Sequence, residues 1–283
     1  MTTELVSTEP ATGKEIWRGT SGNVDDTIER ARKAMRQWAH EPLGRRIEFM
    51  RRFANEVRKH GETFAELIAR ETGKPLWEAR TEVEAVIGKV EISITAYAER
   101  TGQKKLNSAL QGTAALRHKP HGVMAVLGPY NFPAHLPNGH IVPALLAGNT
   151  VVFKPSELAP SVARIMVECF EAAGLPDGVL NVVHGGRETG AALLDADING
   201  LLFTGSANTG TAFHRHFAGR PDIILALEMG GNNPLIVQNV HDLDGAVHHA
   251  LQSAFLSAGQ RCTCARRLLV PKGTKGDQFL ERF

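Results

Sequence analysis

The sequence predicts an α/β fold, with a doubly wound parallel sheet followed by the start of a second α/β unit. Three observations lead to this prediction. The first hundred residues have helical periodicity, residues 122–228 alternate apolar strands with helical segments, and the alternation resumes after residue 233. Strictly alternating β and α units build parallel sheets. We therefore expect residues 1–227 to form a helical layer and the main sheet, and residues 228–283 to begin a second, incomplete domain.

The helical layer follows a short strand-like entry. Ile28, Ala31 and Met35 recur at the spacing of one helix face. The four predicted helices begin near Val24, Leu43, Phe64 and Trp77. A Gly73-Lys74-Pro75 stop signal ends the third helix. We expect this layer to pack against another part of the fold.

The remaining elements follow in order. Residues 114–120 alternate weakly and predict a strand within an arm-like segment of about residues 106–120. The main sheet is predicted from strands at residues 122–128, 150–154, 179–184, 200–204 and 223–228, with helices at 161–173, 188–194 and 208–217. The second unit is predicted from strands at residues 234–237 and 267–270 and helices at 243–256 and 275–283. The chain stops inside the last helix, which suggests a fragment; a frayed terminal helix is the alternative.

The composition limits the kinds of partner and the location that we expect for this protein. The 32 basic and 30 acidic residues leave a net charge of +2, which gives no argument for a nucleic-acid or membrane partner. No apolar run approaches a membrane span, and the acidic N-terminus lacks a signal core. We therefore expect a cytoplasmic protein. Its three cysteines, Cys169, Cys262 and Cys264, are too few for a disulfide framework.

A thiol and a carboxylate are the first candidates for chemistry. Cys262 follows a Gly259-Gln260 turn, and Glu228 ends an apolar strand just before Gly230-Gly231. A thiol that attacks and a carboxylate that activates water suffice for covalent acyl chemistry. Alternatively, Cys262 and Cys264 are small buried hydrophobes on a strand, or a Cys-x-Cys metal pair; we predict no metal site because no second ligand pair lies nearby. Burying the Glu228 carboxylate at the end of a strand costs free energy unless the group is paired or functional. Alternatively, Glu228 is an ordinary solvated residue at a strand end.

Three further segments lie after predicted strands. Asn131, in the stiff loop Pro129–Pro133, could donate to an oxyanion or simply form a turn. Lys154 and Glu157, three residues apart, could reach two ribose hydroxyls or belong to an ordinary helix start. The turn Gly205-Ser206-Ala207-Asn208-Thr209-Gly210 offers backbone N–H groups to a phosphate, although a plain β-to-α turn explains it equally well.

Together these motifs resemble the aldehyde dehydrogenase superfamily from about residue 10 to the end. The matching motifs are Pro129-Tyr-Asn-Phe-Pro133, Lys154-Pro-Ser-Glu157, Phe203-Thr-Gly-Ser206, Glu228-Met-Gly-Gly231 and Gly259-Gln-Arg-Cys262. The resemblance implies an aldehyde-dehydrogenase-like fold with NAD as cofactor. It implies Cys262 as nucleophile rather than Cys264, Glu228 as general base and Asn131 as oxyanion donor. It also implies Lys154 and Glu157 on the adenosine ribose, and residues 205–210 on the pyrophosphate side.

Finer features resemble the N-succinylglutamate 5-semialdehyde dehydrogenases of arginine breakdown by the succinyltransferase route. These features include residues 132–148, 225–234 and 260–267. The resemblance implies a small aldehyde substrate with two carboxylates, for which Arg100, Arg117 and Arg261 are candidate cations, and a homo-oligomer for the full-length protein. His140 stands where many family members carry lysine and could alter proton handling near Glu228. The alternatives are another carboxylate-bearing semialdehyde, or an inactive truncated fragment that binds NAD.

Overall fold

The structure is a computed structural model that describes residues 3–102, 104–106, 112 and 114–283. Part of the predicted arm-like segment therefore lies outside the described residues. At the start of that segment, β3 (Lys104–Leu106) pairs antiparallel with β4 (Ala114–Leu116). β4 covers only the first three residues of the strand predicted for residues 114–120.

The N-terminal part is a hairpin followed by four helices. The hairpin consists of β1 (Glu4–Thr8) and β2 (Glu15–Thr20), which pair antiparallel. The helices are α1 (Val24–His40), α2 (Leu43–Lys59), α3 (Gly61–Thr72) and α4 (Leu76–Arg100). Asn23 caps α1 by accepting the first-turn amides of Asp25 and Asp26. Gly73, with φ of 72°, ends α3 as the predicted stop signal requires. The four predicted helices are thus confirmed.

The predicted parallel sheet is also confirmed. Its strands are β5 (Val123–Leu127), β6 (Thr150–Lys154), β7 (Leu180–Val182), β8 (Gly200–Gly205) and β9 (Ile224–Met229), in the order β7-β6-β5-β8-β9. The intervening helices are α5 (His135–Leu146), α6 (Pro160–Ala172), α7 (Arg187–Asp195) and α8 (Ala207–His216). All four strand pairings are parallel. The strand order reverses beside β5, and such a reversal opens a crevice at the carboxyl ends of the strands.

The sheet is covered on both faces because its central strand is apolar on both sides. Met124 and Val126 of β5 join the cluster formed with α2–α6, whereas Val123, Ala125 and Leu127 join the cluster with α1, α7 and α8. This period of two is the geometry of a strand. Stacked aromatic rings of α2 and α6, 3.6 Å apart at their centroids, fill the first cluster. The helical layer therefore packs directly on the sheet.

Helix α5 has no counterpart among the predicted elements. It contains Pro137 and Pro143, residues that normally argue against a helix interior. Pro137 lies in the first turn, where its missing N–H costs nothing, whereas Pro143 lies inside the helix and removes one backbone hydrogen bond. The helix is buried by tertiary packing, with Ile141 and Leu145 both inaccessible. The surroundings of α5, more than its local sequence, make it helical.

The second unit is a short βαβ segment. β10 (Asn233–Ile236) and β11 (Ala265–Leu269) pair in parallel and are connected through α9 (Leu243–Phe255), and α10 (Thr274–Arg282) follows. Val247, Ala250 and Phe279 form its small apolar cluster. The predicted α/β character is confirmed. The domain boundary at residues 227/228 stays a prediction.

Candidate active site

Two distant segments meet where the loop after β5 approaches the turn before β11. Asn131 lies in that loop, and its Nδ2 donates a hydrogen bond of 2.6 Å to the backbone carbonyl of Gln260. The Gln260 side chain donates through Nε2 to the carbonyl of Thr72 at 3.0 Å. Gln260 lies two residues before Cys262. The fold therefore brings the predicted oxyanion donor and the predicted nucleophile to one place.

The two neighbouring cysteines differ in accessibility. Cys262 is exposed and free, whereas Cys264 is buried. Asn233 donates through Nδ2 to the carbonyls of Cys262 at 2.8 Å and Cys264 at 3.2 Å. A Cβ on Gly231 would lie 2.9 Å from the Cys262 carbonyl oxygen, so this glycine allows the two backbone segments to approach closely. Both cysteines lie in the turn before β11, so the alternative of two buried cysteines on a strand is wrong.

Glu228 occupies the penultimate position of β9, opposite Thr204 of β8. Its side chain is exposed, so the argument from a costly buried carboxylate is wrong. The physical reason is that β9 is the outer strand of the described sheet and is only partly covered. The exposure of Glu228 agrees with the alternative of a solvated residue at a strand end. Its role as general base stays a prediction.

His140 lies at the same end of β8. Its Nε2 is 3.1 Å from Thr204 Oγ1, and the residue is half-buried. Burial lowers the pKa of His140, while the Glu228 carboxylate opposes that shift and Lys89 adds to it. Burial thus favours the neutral form of the His140 imidazole, and the Glu228 carboxylate is close enough to affect its pKa.

A buried ion pair fixes the loop after β5. Glu82 of α4 accepts the backbone N–H groups of Ala134 and His135, both at 3.0 Å. Its second oxygen pairs with Lys74 Nζ at 2.6 Å, and both side chains are inaccessible. Lys74 Nζ also lies 3.7 Å from the centroid of the Phe132 ring. Burial lowers the pKa of Lys74, and Glu82 opposes that shift.

The predicted ribose-binding pair is close together at the carboxyl end of β6. Lys154 Nζ lies 3.9 Å from Glu157 Oε2 and donates to the carbonyls of Pro155 at 2.8 Å and Gly185 at 2.6 Å. Burial lowers the pKa of Lys154, and Glu157 opposes the shift. Lys154 is buried and Glu157 is exposed. An ammonium group has three donors, so one remains for a ribose hydroxyl beside an acceptor carboxylate.

The turn of residues 205–210 opens α8 on the other side of β5. Ser206 caps the helix by accepting the Thr209 N–H at 3.2 Å, and residues 206–209 are exposed. A Cβ on Gly210 would lie 2.5 Å from Met229 Sδ, so the absence of a side chain at Gly210 leaves room for the Met229 side chain between α8 and β9. The exposed N–H groups of the first turn suit an anion. The crevice at β5 thus has groups suited to a ribose on one side and N–H groups suited to a phosphate on the other. This combination fits a dinucleotide.

Two other features, a metal site and a membrane span, are absent from the part of the chain that the structure describes. Among residues 3–102, 104–106, 112 and 114–283, no group of three or more His, Cys, Asp or Glu side chains is arranged to hold a metal. Within the same ranges, no helix is both long and apolar enough to span a membrane.

The match to a protein family decides what this arrangement belongs to. The model of the aldehyde dehydrogenase family matches residues 2–283. This chain belongs to the aldehyde dehydrogenase family. It is 60% identical over 283 residues to the N-succinylglutamate 5-semialdehyde dehydrogenase of Burkholderia mallei (strain SAVP1). That match covers 99% of this chain but only 58% of the relative, so the chain spans little more than half of the relative's length.

Solved structures agree with the family fold. The aldehyde dehydrogenase from Brucella melitensis biovar abortus 2308 is 34% identical, with a TM-score of 0.91 over 99% of this chain and 59% of its own. An E. coli NADP-dependent enzyme is 33% identical, with a TM-score of 0.91 over 99% and 59% of the two chains. The family assignment and the fold thus rest on independent comparisons.

Sequence reasoning missed the buried carboxylates of this aldehyde dehydrogenase family member. Glu78 and Glu82 are one helical turn apart on α4 and almost inaccessible. A signal was present, because both fall on the face that carries Ala79, Val83 and Val86. Carboxylates on an apolar helix face are rarely buried without a partner. Apart from Lys74, which lies eight residues before Glu82, their partners lie too far along the chain to be predicted from local spacing.

Proposed function

We propose that this chain contributes the thiol and the cofactor-binding crevice for NAD-dependent oxidation of N-succinyl-L-glutamate 5-semialdehyde to N-succinyl-L-glutamate. The observation that carries the proposal is the contact between Asn131 and the turn of the exposed Cys262. The identity of 60% to a Burkholderia enzyme of that name supports the substrate. The reaction would belong to arginine breakdown.

Covalent chemistry begins at Cys262. Its thiolate attacks the aldehyde carbon, forming a C–S bond while the carbonyl electrons move onto oxygen. The Asn131 amide has a second N–H besides the one donated to Gln260, and the Cys262 backbone N–H is the other proposed donor. One such donor to an oxyanion contributes roughly 3–4 kcal/mol.

Oxidation and release complete the cycle. The chemistry that NAD would supply when bound is acceptance of the hydride from the tetrahedral carbon, which would leave a thioester on Cys262. Glu228 then takes a proton from water, the hydroxide adds to the thioester, and the thiolate leaves with the acid as product. The exposure of Glu228 keeps it accessible to water.

Lys154, Glu157 and residues 205–210 would hold the dinucleotide. The Glu157 carboxylate would repel a 2′-phosphate and therefore favours NAD over NADP. A similar structure is named as an NADP-dependent enzyme, so the preference needs its own test. We expect Glu157→Gln to lower the ratio of kcat/KM measured with NAD to kcat/KM measured with NADP.

Among the candidate cations for the substrate carboxylates, Arg261 is already engaged. Its Nε donates to Ser257 Oγ at 2.9 Å, and its Nη2 lies 3.5 Å from Glu78. Arg100 and Arg117 are exposed and remain candidates. A charge-reversal variant of each should raise KM if that residue binds substrate.

The proposed function is tested by following reduced cofactor with the semialdehyde and NAD. The assay uses this chain and an extended chain, in which the part of the Burkholderia relative beyond its match follows Phe283. We expect turnover in at least the extended chain and its loss in Cys262→Ser, with Cys264→Ser as the matched control. Turnover that survives Cys262→Ser would refute the proposal. A panel of other carboxylate-bearing semialdehydes, compared by kcat/KM, tests the substrate.

A second candidate is a chain that binds dinucleotide without turnover. It is favoured by the span of only 58% of the relative's length. Calorimetric titration with NAD, combined with the turnover assay on this chain alone, distinguishes a chain that is itself active from one that only binds dinucleotide. Binding without turnover in this chain, together with turnover in the extended chain, would support the second candidate for the chain alone.

A further inference from the structure

The turn that precedes Cys262 has an unusual backbone. Ser257 and Ala258 have φ of 57° and 55°, and Gly259 follows with φ of 68°. Three consecutive residues are therefore left-handed, and two of them are not glycine. A left-handed conformation is sterically strained for a residue other than glycine, so surrounding contacts must hold this turn in place.

The contacts come from Glu78, 179 residues earlier in the chain. Glu78 accepts the Ser257 N–H at 2.9 Å with one oxygen and the Ser257 hydroxyl at 2.5 Å with the other. The Arg261 guanidinium approaches the second oxygen at 3.5 Å and donates to Ser257 Oγ at 2.9 Å. Glu78 is 4% exposed and Ser257 is inaccessible. The buried carboxylate is thus satisfied by the turn itself.

The segment between Ser257 and Cys262 has little remaining freedom. Gln260 is tied to Thr72 through its side chain and to Asn131 through its carbonyl. On the far side, Asn233 holds the Cys262 carbonyl at 2.8 Å. The direction in which the Cys262 side chain leaves the backbone is therefore set by contacts on both sides.

We infer that Glu78 is a positioning residue for Cys262, because its carboxylate holds the left-handed turn that presents the thiol. The inference rests on the proposed function only in taking Cys262 as the nucleophile. Glu78 does not reach the reacting atoms, since both of its oxygens are occupied by Ser257 and Arg261. Glu78 acts through the backbone of the turn. Glu82 holds the loop after β5 in a similar way, by accepting the N–H groups of Ala134 and His135.

The first test measures backbone hydrogen exchange in this chain without any turnover. In Glu78→Ala, we expect exchange across residues 257–262 to rise at least about tenfold, because the hydrogen bonds that close the turn are lost. Exchange in β5 and α2 should stay unchanged. Glu84→Ala is the matched control, since Glu84 lies exposed on the same helix. Unchanged exchange at residues 257–262, or a rise throughout the molecule, would overturn the inference.

The second test asks whether Ala258→Gly rescues Glu78→Ala. Rescue distinguishes positioning of Cys262 from a general contribution of Glu78 to stability. Ala258 is exposed, so Ala258→Gly removes a left-handed penalty without removing a buried contact. We expect Glu78→Ala in the extended chain to lower kcat roughly 10–100-fold with little change in KM, as a misplaced reacting group would. Adding Ala258→Gly should restore part of kcat and slow the exchange at residues 257–262. Loss of kcat without rescue of either quantity would contradict positioning.

The outcomes also separate this inference from the proposed function. If the extended chain does not oxidise the semialdehyde, the proposed function fails, and the exchange measurement still decides whether Glu78 holds the turn. If it does turn over and Glu78→Ala has normal kcat and normal exchange, the inference alone fails.

Discussion

Asn131 donates a hydrogen bond from Nδ2 to the backbone carbonyl of Gln260 across 2.6 Å, although 129 residues separate them. The bond joins the loop after the central strand of the main sheet to the turn that ends at Cys262. It also commits only one of the two amide hydrogens of Asn131. The same side chain can therefore position the thiol loop and face a developing oxyanion.

Replacement of Asn131 should affect activity far more than stability. We expect Asn131→Ala in the extended chain to lower kcat roughly 10²–10³-fold through loss of the oxyanion donor. The lost bond to Gln260 should cost only about 1 kcal/mol of the free energy of unfolding. Steady-state kinetics and urea unfolding measure the two effects, and the exposed Asn55→Ala is the control. Equal kcat for the two variants would count against the proposed role.

The adjacent glycines 230 and 231 offer a matched pair. A Cβ at Gly231 would lie 2.9 Å from the Cys262 carbonyl oxygen and 3.0 Å from the Asn233 side chain, whereas one at Gly230 would meet nothing within 4 Å. We expect Gly231→Ala to cost about 1–3 kcal/mol by overpacking. Gly230→Ala should leave the free energy of unfolding nearly unchanged. Chemical denaturation decides, and equal stabilities would show that the backbone relaxes at Gly231.

The inaccessible Lys74–Glu82 pair should behave as a coupled unit. Glu82→Gln retains an acceptor for the amides of Ala134 and His135 but removes the carboxylate that pairs directly with Lys74. We expect it to cost about 3–5 kcal/mol, the range for breaking a buried ion pair. Lys74→Met in the same chain should recover much of that loss. A double-mutant cycle by urea unfolding checks the coupling, and simple additivity of the two changes would refute it.

His140 should make stability depend on pH in a definite direction. Burial depresses its folded-state pKa below the ordinary 6.5, against the pull of Glu228 and with the help of Lys89. Above 6.5 the imidazole is neutral in both states. As the pH falls from 6.5 towards the lower folded-state pKa, the unfolded chain binds the proton first, so stability decreases. We expect His140→Gln to lose less stability over that window, as measured by unfolding at a series of pH values. Parallel pH profiles for the two proteins would contradict the predicted shift.

The sequence by itself determined the order and type of nearly all elements, because helix and strand periods and Gly–Pro stops are local. It also placed Cys262, Glu228, Asn131, Lys154 and residues 205–210 as site candidates, whose roles stay predictions. Local signals misled at α5, where two prolines hide a helix that packing imposes.

Tertiary structure decided accessibility and support. Only the fold exposes Cys262 while burying Cys264, and only the fold leaves Glu228 exposed on an outer strand. The hydrogen bonds of Glu78 to Ser257 span 179 residues and those of Glu82 to the loop after β5 span about fifty. Contacts at such separations depend on how elements pack, and the spacing of residues along one sequence carries no information about that packing.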